Sequence, residues 1–227
     1  DLVVADISGS VYGGGNFGAV GGNMTGTSTY TPGGDVAPTN GGLFEDETND
    51  NNIRYYGSDP DNYMTIGGTT YRIIGWFNNV VTPDGTKDLV RVIKQTSYNN
   101  NTNYAWSDNY VANGQNRNYY NYFVRTNNDK SAMYNLLNTT YYNGLNATAR
   151  GYIQTATWNY GAIDSPDHNA SAFYTAEHGN TAGSSQSTTS SSFNVGLPYA
   201  SDYGFAAGAD CVGTNLSAYQ NDCANWM

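Results

Sequence analysis

Alternation of apolar and polar positions is clearest in the middle of the chain. NYMTIGGTTYRIIGWF reads as two strands around Gly67-Gly68, a two-residue hairpin signal. In the second strand Tyr71, Ile73 and Gly75 alternate with Arg72, Ile74 and Trp76, so both faces are at least partly covered. VVTPDGTKDLVRVIKQ is a second hairpin pattern, with Pro83-Asp84-Gly85 supplying the turn chemistry. After that turn Leu89, Arg91 and Ile93 share one face, and Val90, Val92 and Lys94 the other.

The pattern then changes. From Thr96 to Asn128 the chain is dominated by Asn and Tyr without helical periodicity, which predicts a long loop pinned by aromatics. SAMYNLLNTTYYNGL places Met133, Leu136, Leu137 and Tyr141 on one helical face, with Asp129 or Ser131 as cap and Gly144 as the stop. A second short helix is expected across NATARGYIQTATW. Residues 182–192, AGSSQSTTSSS, read as a low-complexity polar loop, and FNVGLPYASDYGF as a buried strand running into a turn.

The first 42 residues differ from all of this. DLVVADI is a short β-prone run carrying Leu2, Val3, Val4 and Ile7. It is followed by a stretch dense in Gly, Thr and Asn that suits extended packing better than an isolated fold. The organisation expected is an extended arm over 1–42 and a globular α+β, mainly β domain over 43–227 with long loops and two short helices. A glycine-rich phosphate loop is disfavoured in the arm, where no lysine and no helix signal accompanies the glycines.

Charge narrows the function classes. Charged residues make up 12% of the chain, well under the quarter usual for soluble domains, and the net charge is −10 with a pI near 4.3. Such a surface repels phosphate backbones and anionic lipid heads, so neither nucleic acid nor a membrane surface is expected as partner. No stretch approaches the roughly 18 apolar residues of a spanning helix. DLVVADISGS lacks a basic n-region, so an exported chain would be present in processed form. Neutral Asn, Thr, Ser, Gly and 21 tyrosines carry the solubility instead.

Cys211 and Cys223 enclose a small polar loop. They are either a disulfide, contributing about 3 kcal/mol in the chain-entropy model, or two buried thiols. The absence of other cysteines favours the bridge and an oxidising compartment, and with His168 and His178 far upstream the spacing does not favour zinc. EDETNDNN offers Asp46, Thr48 and Asp50 as calcium candidates, although Asn51 stands where a calcium loop has glycine and the closing Glu is missing. Asp167, His168, Glu177 and His178 are close enough in sequence for acid–base work, but no nucleophile elbow or HExxH accompanies them. The tyrosines fit a sugar-stacking platform, subunit contacts or a core with a wet rim. Asn-x-Ser/Thr triplets at Asn23, Asn100, Asn138, Asn146, Asn169 and Asn215 permit glycosylation.

Several of these segments resemble a family of Gram-positive bacterial surface proteins, the prepilin-like or surface-adhesin C-terminal domains. YYGSDPDNYMTIGGTTYRIIGWF is similar to the opening of that domain. TWNYG, FYTAEHGN, FNVGLPYASDYGFAA and the closing Cys…Cys-x-Asn-Trp pattern are similar to its later blocks, so the resemblance spans about residues 53–227. It implies a C-type-lectin-like or sulfatase-modifying-factor-like fold without implying an activity. The cysteine arrangement of the copper-using formylglycine-generating members is not matched. Two departures stand out: the glycine-rich arm replaces the family's apolar helix, and the strands that follow the Asn-Trp block are lacking. Trp226 and Met227 therefore read as interior residues whose continuation lies beyond Met227, leaving a sheet edge and an apolar groove to be completed.

The resulting expectation is a non-enzymatic, extracellular or cell-surface structural subunit, pilin-like or of a surface fibre. It would self-associate or join another surface subunit through the arm, with no cofactor beyond the calcium candidates. The alternative is a carbohydrate-binding, lectin-like module of an adhesin, with a glycan as partner. A hydrolase built on Asp167, His168, Glu177 and His178 is a third.

Overall fold

A computed structural model describes residues 2–5, 41–46, 48–98, 103–104, 123–126, 129–160, 167–178, 189–207, 211, 213–219 and 223–227. Its strands in chain order begin with β1 (Leu2–Ala5), β2 (Gly42–Glu45), β3 (Ile53–Tyr56), β4 (Tyr63–Ile66), β5 (Thr69–Thr82) and β6 (Gly85–Lys94). They continue with β7 (Val124–Thr126), β8 (Asp129–Lys130), β9 (Ala156–Tyr160), β10 (Thr189–Phe193) and β11 (Val195–Gly196). Seven of them form one antiparallel sheet, ordered β11-β1-β6-β5-β3-β2, with β4 also paired to β5. Small two-stranded sheets join β9 to β10 and β7 to β8. The fold is α+β and mainly β.

Both expected hairpins form. Gly67 and Gly68 sit at φ 58° and 81°, the left-handed pair that a two-residue turn needs, and join β4 to β5. The β5–β6 hairpin closes Thr82 against Gly85 around Pro83-Asp84. β5 is 14 residues long, and its side opposite β6 is shared: β4 pairs its first part and β3 its middle. The handover falls at a bulge between Ile73 and Gly75. A Cβ at Gly75 would lie 2.3 Å from the Ile53 carbonyl oxygen, so a side chain there would push β3 off the sheet.

Ser131 caps the predicted helix, its hydroxyl accepting from the Tyr134 N–H at 3.0 Å. The helix runs as α1 (Ala132–Asn135), a π-helical segment (Leu136–Tyr141) and α2 (Tyr142–Gly144). Leu137 and Tyr141 are buried against the sheet, where the Tyr141 and Tyr71 hydroxyls meet. The second expected helix is shorter than the sequence suggests. It is α3 (Ala147–Tyr152), capped by Asn146, and the TATW portion turns into β9, where Trp158 is buried in the main core. Among the described residues two further α-helices depart from the expectation of two in all: α4 (Ala170–Glu177) and α5 (Ala200–Phe205), packed on each other. The serine-rich stretch departs too, since Thr189–Phe193 is a strand held to β9 and anchored by Phe193 in the core.

Cys211 and Cys223 form the disulfide, with Cα atoms 6.0 Å apart. Trp226 is half-buried: its indole N–H donates to the Tyr55 carbonyl at 3.0 Å and the Arg72 guanidinium lies 4.8 Å from its ring. Asn225 forms a parallel bridge to Gly57. Among the described residues no helix is long and apolar enough to cross a membrane. Most of the Thr96–Asn128 loop, and residues 6–40 of the arm including Ile7, lie outside the described residues.

Candidate functional site: a buried charge ladder beneath an aromatic pocket

Strand register brings two arginines together. Arg54 on β3 and Arg91 on β6 both stand opposite Gly75 on β5, so they flank a position that has no side chain. Two guanidinium groups side by side in an apolar layer require carboxylates. Asp202, at the start of α5, supplies one. Its Oδ1 accepts from Arg54 at 2.8 Å and from Arg91 at 3.0 Å, and its Oδ2 accepts from the Tyr199 N–H at 3.0 Å, capping the helix. Asp46, just after β2, supplies the other, accepting from Arg54 Nε at 2.6 Å. Aromatic faces complete the enclosure. Arg54 lies 4.4 Å from the Phe205 centroid, and Arg91 lies 3.7 Å from that of Phe77. Arg54 Nη2 and Arg91 Nε, which meet no acceptor atom, are thus held among rings.

The ladder is balanced at two cations and two anions, and a third acid sits beside it. Glu177, at the end of α4, is buried and accepts from the Ser201 N–H at 3.1 Å and from the Ser201 hydroxyl. Burial pushes its pKa up to about 8, with the Asp202 charge adding to the effect and the Ser201 bonds and Arg54 opposing it. Asp202 behaves oppositely: burial raises its pKa, but Arg91 and Arg54 outweigh it and hold the carboxyl below its ordinary range. At neutral pH Glu177 is therefore held mostly as the carboxylic acid beside an ionised Asp202.

Above Glu177 opens a cavity of about 230 Å³, lined by Phe123, Trp158, Phe193, Leu197 and Tyr199. Trp158 and Phe193 stack at 5.5 Å with 8° between their planes. Gly196 makes room for them, since a Cβ there would lie 2.7 Å from the Trp158 ring. Tyr199 is fixed at both ends, its hydroxyl accepting from the Asn159 N–H and donating to the Asn159 carbonyl, each at 2.8 Å, and burial raises its pKa.

The sequence-level candidates fall differently. Asp167 and His168 lie at one end of α4 and Glu177 and His178 at the other, roughly 13 Å apart at the helical rise. Asp167 accepts from Ser217, and His168 meets the edge of Phe173. His178 stacks on Tyr174 at 3.9 Å and bonds its carbonyl, and burial lowers its pKa, favouring the neutral ring. The four are not one constellation. Asp46, Thr48 and Asp50 do lie together, but around protein groups. Asp46 takes Arg54, Asn52 and Thr48, and Asp50 takes the Tyr174 hydroxyl, whose pKa burial pushes up to about 12. Among the described residues no group of three or more His, Cys, Asp or Glu side chains is arranged to hold a metal ion. Leu2, Val3 and Val4 lie on β1, inside the main sheet.

Arg54, Arg91, Glu177 and Asp202 are the residues that sequence reasoning missed as a group. The available signal was a single arginine within each of two strand runs, IRYY and LVRVI, where flanking apolar residues leave no solvated face. Asn138, Asn146 and Asn169 are likewise structural: Asn138 clasps the Val195 backbone, and Asn146 and Asn169 cap helices. Compared with protein-family models, curated proteins and solved structures, the chain finds no match.

Proposed function

We propose that the chain is an extracellular, non-catalytic structural or adhesive subunit, pilin-like or of a surface fibre, that assembles through its N-terminal arm and its Tyr/Asn-rich surfaces. A C-type-lectin-like arrangement is the finer fold reading. The observation that carries the proposal is β1. A strand of four residues, separated by 36 others from β2, lies inside the main sheet between β11 and β6. A short strand joined to its domain by a long connection is an element by which one chain can complete another's sheet. The disulfide fits an oxidising compartment. The charge ladder fits a load-holding role, because each of its acids is engaged by groups of the same chain. Deleting residues 1–42 is expected to abolish fibre formation at the cell surface in electron micrographs; arm-less protein that still forms fibres would refute the reading.

The aromatic lining of the pocket favours a second reading, a carbohydrate-binding module, since aromatic side chains pack on the apolar faces of sugars. Saturable binding of related neutral sugars on a glycan array, lost in Trp158→Ala, would favour this reading over the first.

A further inference from the structure

β1 is antiparallel to both β6 and β11, which therefore run parallel to each other with a gap one strand wide between them. Leu2 pairs with Ile93 and Gly196, and Val3 with Val92 and Val195. β11 has its outer edge filled already: Asn138 Nδ2 donates to the Val195 carbonyl at 2.9 Å, and Asn138 Oδ1 accepts from the Asn194 and Val195 N–H groups at 3.0 Å each. With β5 on the far side of β6, both strands have pairing capacity left on one side only, facing the gap. The gap is thus a strand-shaped acceptor with two backbone edges, whichever chain supplies the strand.

The connection to the donor is long. Residues 6–41 reach roughly 120 Å when extended, whereas β1 and β2 lie four strand spacings apart, roughly 19 Å. Nothing in the backbone pairing distinguishes a chain's own Leu2–Ala5 from that of a neighbour. What distinguishes them is effective concentration, which a covalent connection sets on the order of millimolar. Crowded or surface-tethered chains reach that range.

We propose that the slot between β6 and β11 is a strand-acceptor site that takes the Leu2–Ala5 strand of a second copy of this chain, in the register seen within one copy. The proposal rests on the reading of the chain as an assembling subunit and names where the arm docks. In a lone chain the same strand caps its own slot. Because donor and acceptor are different surfaces, exchange builds an open, head-to-tail polymer unless two copies swap reciprocally.

The test uses full-length chains with the Cys211–Cys223 bridge kept intact. One carries Leu2→Cys and the other Ile93→Cys, at a half-buried position. Refolded together at about 1 mM and gently oxidised, they are expected to give a covalent species of twice the chain mass, linked between positions 2 and 93. Adding Val3→Pro to the Leu2→Cys chain, which removes a backbone donor from the strand, should reduce that product at least tenfold. Arm-dependent oligomers without the 2–93 link, or a link indifferent to Val3→Pro, overturn the slot while leaving the assembly reading standing. Complete absence of oligomers overturns the assembly reading itself.

Discussion

Raising the pH from 5 to 8 should weaken this fold, and Glu177→Gln should remove most of that weakening. The unfolded chain releases the Glu177 proton near its ordinary value of 4.5, whereas the folded chain keeps it to about 8. Between those values the folded state binds more protons, so stability falls as pH rises. At 1.36 kcal/mol per pH unit, the fall attributable to this group is on the order of 4 kcal/mol. Stability from Glu177 is thus complete below pH 4.5 and lost through pH 8. Two groups act in the other direction. His178, held neutral by burial, and Asp202, held ionised by two arginines, both lose stability as the pH falls. Subtracting the Glu177→Gln profile from that of the unmodified protein cancels both. Glutamine keeps an acceptor for the Ser201 N–H and presents its amide NH2 to the Ser201 hydroxyl oxygen, which then accepts where it had donated. Urea midpoints of the two proteins should therefore coincide near pH 5 and diverge toward pH 8, with the variant the more stable. Parallel profiles would place Glu177 in contact with water.

Asp202→Ala should cost about 3–5 kcal/mol, the range for breaking a buried ion pair from one side. The carboxylate holds Arg54 and Arg91 and caps α5, so its loss leaves Arg91 without its anion and brings two buried guanidinium groups face to face. Asp46 remains on Arg54 and limits the damage to that partner. Set against a typical domain stability of about 5–15 kcal/mol, this is roughly a fifth of the fold or more. Denaturant unfolding at pH 6 reads the effect directly. Asp202→Asn keeps the shape but has one acceptor oxygen for both the arginines and the Tyr199 N–H, so it should also destabilise the fold. A loss under about 1 kcal/mol for Asp202→Ala would mean that the ladder is solvated rather than buried.

Local signals were enough where the backbone itself carries the information. Gly67-Gly68 and Pro83-Asp84-Gly85 specify their hairpins through turn chemistry, and Ser131 marks its helix by capping it. The cysteine pair was legible because no other partner exists for either residue. Context decided the rest. α4, ASAFYTAE, has little leucine or charge periodicity to announce it; α5 is six residues long with a glycine inside; both are stabilised by packing on one another. The serine run reads as loop by composition and becomes β10 only because β9 is there to pair with. The charge ladder is the least legible part. Its members are up to 156 residues apart, from Asp46 to Asp202, and only the Arg54–Gly75–Arg91 register brings them into contact.

Whether the Leu2–Ala5 strand binds from outside its own chain is tested most directly by sedimentation velocity over a concentration series. Full-length protein should show a ladder of species growing as the concentration approaches about 1 mM. Protein lacking residues 1–42 should sediment as a single unchanging species, or join full-length chains only as a terminal acceptor. Identical distributions for the two proteins at every concentration would contradict the account.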